Sequence, residues 1–167
     1  MIHIYCGDGK GKTTASIGLA ARMAGYGKRV LFMQFMKGSY TGELEILGGI
    51  QNITVMRCDK NYGFFRSMKD SDKENITACH NANLRYALDN MRDFDMIVLD
   101  EIFAALSCSL CDSETVKRIV TEYKGELVLT GRNPDAWFLG SADYVSQIKK
   151  IKHPYDKGVS AREGIEY

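Results

Sequence analysis

The run Gly7-Asp8-Gly9-Lys10-Gly11-Lys12-Thr13-Thr14 follows the apolar segment Ile2 to Cys6 and leads straight into a helical pattern. In a loop so placed, successive backbone N–H groups point inward at a bound phosphate, and the next helix adds the positive end of its dipole. Glycines are required because side chains would block that approach. All eight residues, Gly7, Asp8, Gly9, Lys10, Gly11, Lys12, Thr13 and Thr14, are therefore candidates for gripping a nucleotide triphosphate. Lys12 would reach phosphate oxygens as a point charge, and the Thr13 hydroxyl would sit where it can ligate Mg²⁺. The pattern G-x-x-x-x-G-K-[ST] is met except at its first glycine, which falls on Cys6. A dinucleotide fingerprint fits less well, since Gly7, Gly9 and Gly11 are spaced two apart and followed by Lys12-Thr13.

Beyond the loop, short apolar runs bounded by turn signals alternate with longer helical patterns, the mark of strand–helix–strand units. Six strands are expected: Ile2 to Cys6, Val30 to Met36, Ile53 to Cys58, Met96 to Asp100, Glu126 to Thr130 and Tyr144 to Ile148. Several are apolar on both faces, as buried parallel strands are. The first helix is expected from about Lys12 to Ala24, with Ile17, Ala20, Ala21 and Ala24 on the face against the sheet. Further helices are expected from Asp72 to Arg92, from Ser113 to Tyr123 with Ser113 as N-cap, and, in a short stretch, after Pro134. The stretches 37–49 and 60–72 resist regular structure and are candidate substrate lids. With 167 residues, the chain has the size of one domain. The expected fold is α/β: a single three-layer P-loop (RecA-like) domain over residues 1–167, with a mainly parallel sheet of about six strands.

Two more strand ends bear on the loop. Ile97-Val98-Leu99-Asp100-Glu101 is an apolar strand ending in two acids, and an acid at the carboxyl end of a parallel strand faces the ligand crevice. Asp100 and Glu101 are thus candidate Mg²⁺ ligands beside Thr13. Leu129-Thr130-Gly131-Arg132 ends near the same edge, where the Arg132 guanidinium could hold a phosphate in a fork. Other features rank lower. Cys108 and Cys111 form a C-x-x-C with no second pair, which makes a zinc site a poor reading. His80 and His153 read as surface residues, and Phe64 and Phe65 either cover a flat ligand or pack on the core.

Lys and Arg number 22 against 21 Asp and Glu, so no general pull toward nucleic acid or anionic lipid is expected. The amino terminus shows no basic segment followed by an apolar one, and a cytoplasmic protein fits best. Five scattered cysteines then read as reduced thiols.

Several segments together resemble the ATP:corrinoid adenosyltransferases of the CobA/CobO/BtuR type. They are HIYCGDGKGKTTASIGLAARMAGYGKRV at 3–30, FMQFMKG at 32–38, MIVLDEI at 96–102, LTGRNPDAWFLGSADYVSQI at 129–148 and KHPYDKGVSAREGIEY at 152–167. The loop of that family also lacks the first glycine, so Cys6 agrees with it. The stretch 39–90 matches poorly. The resemblance implies transfer of the 5′-deoxyadenosyl group of ATP to the Co(I) of a reduced corrinoid, with triphosphate released. It implies a cytoplasmic, homodimeric enzyme of cobalamin biosynthesis or salvage, supplied with electrons by a flavoprotein. Lys12, Thr13 and Glu101 would carry the reaction. The loop with Lys10 and Arg132 would bind the triphosphate, Phe64 or Phe65 would substitute at the corrinoid for a tryptophan that helps strip the lower ligand from cobalt, and Thr13, Asp100 and Glu101 would hold Mg²⁺. There are two departures. Proteins of that type usually carry an N-terminal extension over the site, whereas the first strand here begins at Ile2. They also carry a G-F-x-W segment where this chain reads Gly63-Phe64-Phe65-Arg66. A phosphate-loop kinase or ATPase cutting at the γ-phosphate, and a non-catalytic carrier of ATP and corrinoid, remain the other readings.

Overall fold

The computed structural model describes residues 1–38, 40–63 and 65–165; the expectation for Phe64 lies outside the described residues. The elements follow one another as β1 Ile2–Cys6, α1 Lys12–Gly25, β2 Val30–Gln34, α2 Gly42–Gly48, β3 Ile53–Arg57, α3 Asp70–Asn90 and β4 Met96–Asp100. Then come α4 Ile102–Ser107, α5 Ser113–Glu122, β5 Glu126–Thr130, α6 Ala136–Ser141 and β6 Tyr144–Gln147. The six strands form one sheet in the order β3-β2-β4-β5-β1-β6, and every pair is parallel. Parallel pairing sends all carboxyl ends to one edge. The register sets Gln34 beside Asp100 there, and Tyr5 beside Thr130.

Helices cover both faces, which is why β2 and β4 are buried at every position. On one side Ala20 and Ala24 of α1 and Leu47 of α2 pack on Phe32, Val98 and Val128. On the other, Leu84 of α3, Ala105 of α4 and Ile119 of α5 pack on Leu31, Met33, Ile97 and Leu99. Each such Val, Leu, Ile, Met or Phe side chain contributes about 1.5–3 kcal/mol on burial, so the central strands anchor the fold. Edge strand β6 is exposed throughout.

Several expectations are corrected. The inner face of α1 is Lys12, Ser16, Ala20 and Ala24, a four-residue spacing that leaves Ala21 exposed. Asp112, not Ser113, caps α5, its carboxylate accepting from the N–H groups of Glu114 and Thr115. The glycine-rich stretch 37–49 contains helix α2, held by burial of Leu47 against the sheet despite its weak propensity. Helix α4, six residues long, is too short to show a period. Strands β2, β3 and β6 stop one or two residues early, and α3 begins two residues sooner, at Asp70. Cys58 and Cys79 are joined in a disulfide with Cα atoms 6.1 Å apart, against the expectation of reduced thiols. Cys58 directly follows β3 and Cys79 lies on the inward side of α3, a proximity that spacing does not reveal. Cys6, Cys108 and Cys111 are free thiols, and burial raises that of Cys111 to about 12. Among the described residues no helix is long and apolar enough to cross a membrane.

Candidate functional site

Loop residues 8–14 line a cleft of about 750 Å³ at the carboxyl edge of the sheet, together with Lys37, Glu43, Glu101, Arg132 and His153. Gly7 and Gly11 have positive φ, 106° and 114°. A Cβ at Gly7 would overlap the Ile148 carbonyl, and one at Gly9 would come within 2.8 Å of the Lys149 backbone. The first two glycines are therefore imposed by the segment leaving β6, whose Ile148 carbonyl accepts from the Gly9 N–H at 2.9 Å. Only Gly11 has open space where a side chain would stand.

Lys12 is almost buried and its ammonium donates to the Gly9 carbonyl at 2.8 Å, bridging the loop. Lys10 reaches across to the Ile165 carbonyl at 2.6 Å, bringing the chain's end over the loop. Asp8 accepts from the Lys150 N–H, and that bond lowers its carboxyl below the ordinary range.

Asp100 ends β4 and is fully buried. Its Oδ1 accepts from Thr130 Oγ1 at 2.7 Å, while its Oδ2 accepts from Thr13 Oγ1 at 3.2 Å and Lys37 Nζ at 3.3 Å. The Gln34 amide nitrogen lies 3.5 Å from the same oxygen and 3.4 Å from Glu43, and its buried carbonyl oxygen has no hydrogen-bond partner among the described residues. Glu101 takes the left-handed conformation, φ 61°, which costs a residue with a Cβ about 1–2 kcal/mol. The Thr130 hydroxyl holds it there by accepting from the Glu101 N–H at 2.9 Å. Burial raises the Glu101 carboxyl above the usual range, and neighbouring Asp100 adds to the rise. Strand β5, standing between β4 and β1, thus supplies the hydroxyl that sets both acids, and Arg132 two residues on reaches the cleft.

The structure brings together residues that sequence reasoning passed over: Lys37, Gln34, Glu43 and Thr130. Lys37 and Gln34 lie in the FMQFMKG segment, which was itself the available signal. His153, expected at the surface, lines the cleft. Phe65 does not; it packs with Cys58, Met68, Ile76 and Leu110 in a small core beside the sheet.

His80 is buried rather than exposed, because α3 turns it inward beside Phe35. Its Nε2 accepts from the Met36 N–H at 3.3 Å, leaving Nδ1–H to donate to the Leu110 carbonyl at 2.9 Å. Burial lowers its pKa below the ordinary 6.5. The unfolded chain therefore takes up the proton first, and stability falls as pH drops from 6.5 through the folded value. Each unit of separation is worth about 1.4 kcal/mol. Urea midpoints from pH 8 to 5 are expected to decline more steeply in the parent than in His80→Asn, which starts lower at pH 8.

The fold and the site define a phosphate-loop nucleotide-binding protein. Residues 1–167 match the family model described as ATP:corrinoid adenosyltransferase BtuR/CobO/CobP. The chain is 33% identical over 174 residues to the corrinoid adenosyltransferase of Escherichia coli, covering 100% of this chain and 85% of that protein. Against the corrinoid adenosyltransferase CobA of Salmonella typhimurium the figures are 32% over 170 residues, 100% and 85%. Against that of Pseudomonas aeruginosa they are 28% over 172 residues, 100% and 83%. The chain belongs to the ATP:corrinoid adenosyltransferase family, transferases that adenosylate corrinoids with ATP as co-substrate.

Proposed function

We propose that this single domain transfers the 5′-deoxyadenosyl group of MgATP to the Co(I) of a reduced corrinoid and releases the triphosphate whole. The observation that carries the reading is the convergence of Lys10, Lys12, Lys37 and Arg132 on the cleft of the glycine loop, in a chain of net charge +1. Four cations on one cleft, beside the acids Asp8, Glu43 and Glu101 that also line it, suit a polyanion that arrives with a metal ion, is held and then leaves. Co(I) supplies the electron pair of the new bond to C5′, and the pair of the broken C5′–O bond departs on the triphosphate. The protein's work is to orient and neutralise. The loop N–H groups, Lys10, Lys12 and Arg132 hold the phosphates, while the C-terminal segment around Gly164 and Ile165 keeps water from them.

Thr13, Asp100 and Glu101 would hold Mg²⁺. Their oxygen donors suit a hard cation, and an ammonium already stands between Thr13 and Asp100. Among the described residues no three His, Cys, Asp or Glu side chains cluster as a cage, which agrees with a metal shared with phosphates. When bound, Mg²⁺ supplies positive charge against the leaving triphosphate.

One observation favours a second reading, cleavage at the γ-phosphate: Glu101, with its carboxyl raised, has the character of a general base. Given MgATP and a chemically reduced corrinoid, purified protein is expected to produce the spectrum of a cobalt–carbon bond and one triphosphate per adenosyl group. ADP and phosphate instead would overturn the proposal in favour of the second reading. A cytoplasmic homodimer served by a flavoprotein reductase belongs to the same proposal.

A further inference from the structure

Lys37 follows β2 and has no part in the loop motif, yet its ammonium lies 3.3 Å from Asp100 Oδ2 and 3.3 Å from Thr13 Oγ1. Those are two of the three side chains assigned above to Mg²⁺, and the inference rests on that assignment. Asp100 is fully buried, its other oxygen is taken by Thr130, and Lys37 is its one ion-pair partner among the described residues. A buried carboxylate with no counter-charge is strongly disfavoured, so the ammonium keeps the site intact. An ammonium and Mg²⁺ cannot both occupy the approach to these oxygens, because Mg²⁺ binds oxygen at about 2.0–2.1 Å and the two cations repel.

The backbone beneath Lys37 is tied down, while its side chain has room toward the cleft. Met36 has φ 60° and its N–H is held by buried His80, whereas the Lys37 side chain is 28% exposed and lines the nucleotide cleft. We propose that Lys37 is a stand-in cation. It neutralises Asp100 while the site lacks metal, gives way to Mg²⁺ when nucleotide arrives, and moves its ammonium onto the triphosphate. Metal alone offers the displaced lysine no new partner, while the nucleotide's phosphates do. Metal and nucleotide binding are thereby coupled, each strengthening the other.

The test uses Mn²⁺ as probe, counted by electron paramagnetic resonance, with Lys37→Met and Lys37→Arg beside the parent. The parent is expected to bind Mn²⁺ well only with ATP present. Lys37→Met should bind Mn²⁺ without nucleotide about tenfold or more tightly than the parent, and bind inorganic tripolyphosphate more weakly by a similar factor. It should melt below the parent in chelator and regain the difference on addition of Mg²⁺ alone. Lys37→Arg, which keeps the charge, should behave as the parent in all three. Unchanged Mn²⁺ affinity in Lys37→Met, a melting deficit that metal does not repair, or a gain of metal affinity in Lys37→Arg overturns the stand-in role while leaving the metal site standing. A parent that binds no Mn²⁺ even with ATP overturns both.

Discussion

Lys12→Ala is expected to leave the protein folded and to weaken ATP binding by about a hundredfold or more, the loss of one nearly buried charge against phosphate. Lys12 is 7% exposed, and among the described residues its ammonium meets only the Gly9 carbonyl. Burial costs the lysine its solvation and its attraction to Glu101 offsets part of that cost, so its removal changes the stability of the empty protein little. The melting temperature without ligand should therefore stay near that of the parent, while the stabilisation that ATP confers disappears. Calorimetric titration with MgATP and a melting curve with and without nucleotide check both halves. A variant that binds ATP within tenfold of the parent would show that the loop does not act as the triphosphate grip.

Asp100→Ala should affect folding and reaction together. The carboxylate joins β4 to β5 through Thr130, to the loop through Thr13, and to the segment after β2 through Lys37. Removing one member of a buried ion pair costs about 3–5 kcal/mol, and Lys37, being partly exposed, recovers some of that by turning to water. A net loss of about 2–4 kcal/mol is expected in denaturant titration. Product formation should fall by about a hundredfold or more, since the metal loses a carboxylate and Thr130 loses the partner that orients it at Glu101. Asp100→Asn separates the two effects. Its amide keeps an acceptor for Thr130 and the same volume, so most stability returns while adenosyl transfer stays low. Equal recovery of both would mean that Asp100 serves structure alone.

Where sequence reasoning succeeded, the determining interactions were local. Met96–Asp100 and Glu126–Thr130 stand as expected because their apolar runs are short, bounded and buried on both faces. Helix α1 begins at Lys12 as the loop requires. Helix α2 was hidden because its stability comes from Leu47 against the sheet, a contact made between distant segments. His80 was misplaced for a similar reason: it shares the inward side of α3 with Ile76, Leu84 and Ala87, and only the tertiary structure brings the Leu110 carbonyl and Met36 N–H to satisfy its two ring nitrogens there.

The sequence by itself determined the chemistry of the loop from Gly7 to Thr14, the acids that close β4, and the α/β alternation, since contiguous residues carry each of these. Tertiary structure decided the rest of the site. Strand β5 lies between β1 and β4, so Thr130 can hold both acids, and β2 lies on the far side of β4, so Lys37 reaches Asp100 from there. It also decided why Gly7 and Gly9 are glycines, a matter of the backbone leaving β6 rather than of phosphate. Strand order in a parallel sheet is set by long-range packing of helices on both faces, and no run of neighbouring residues encodes it.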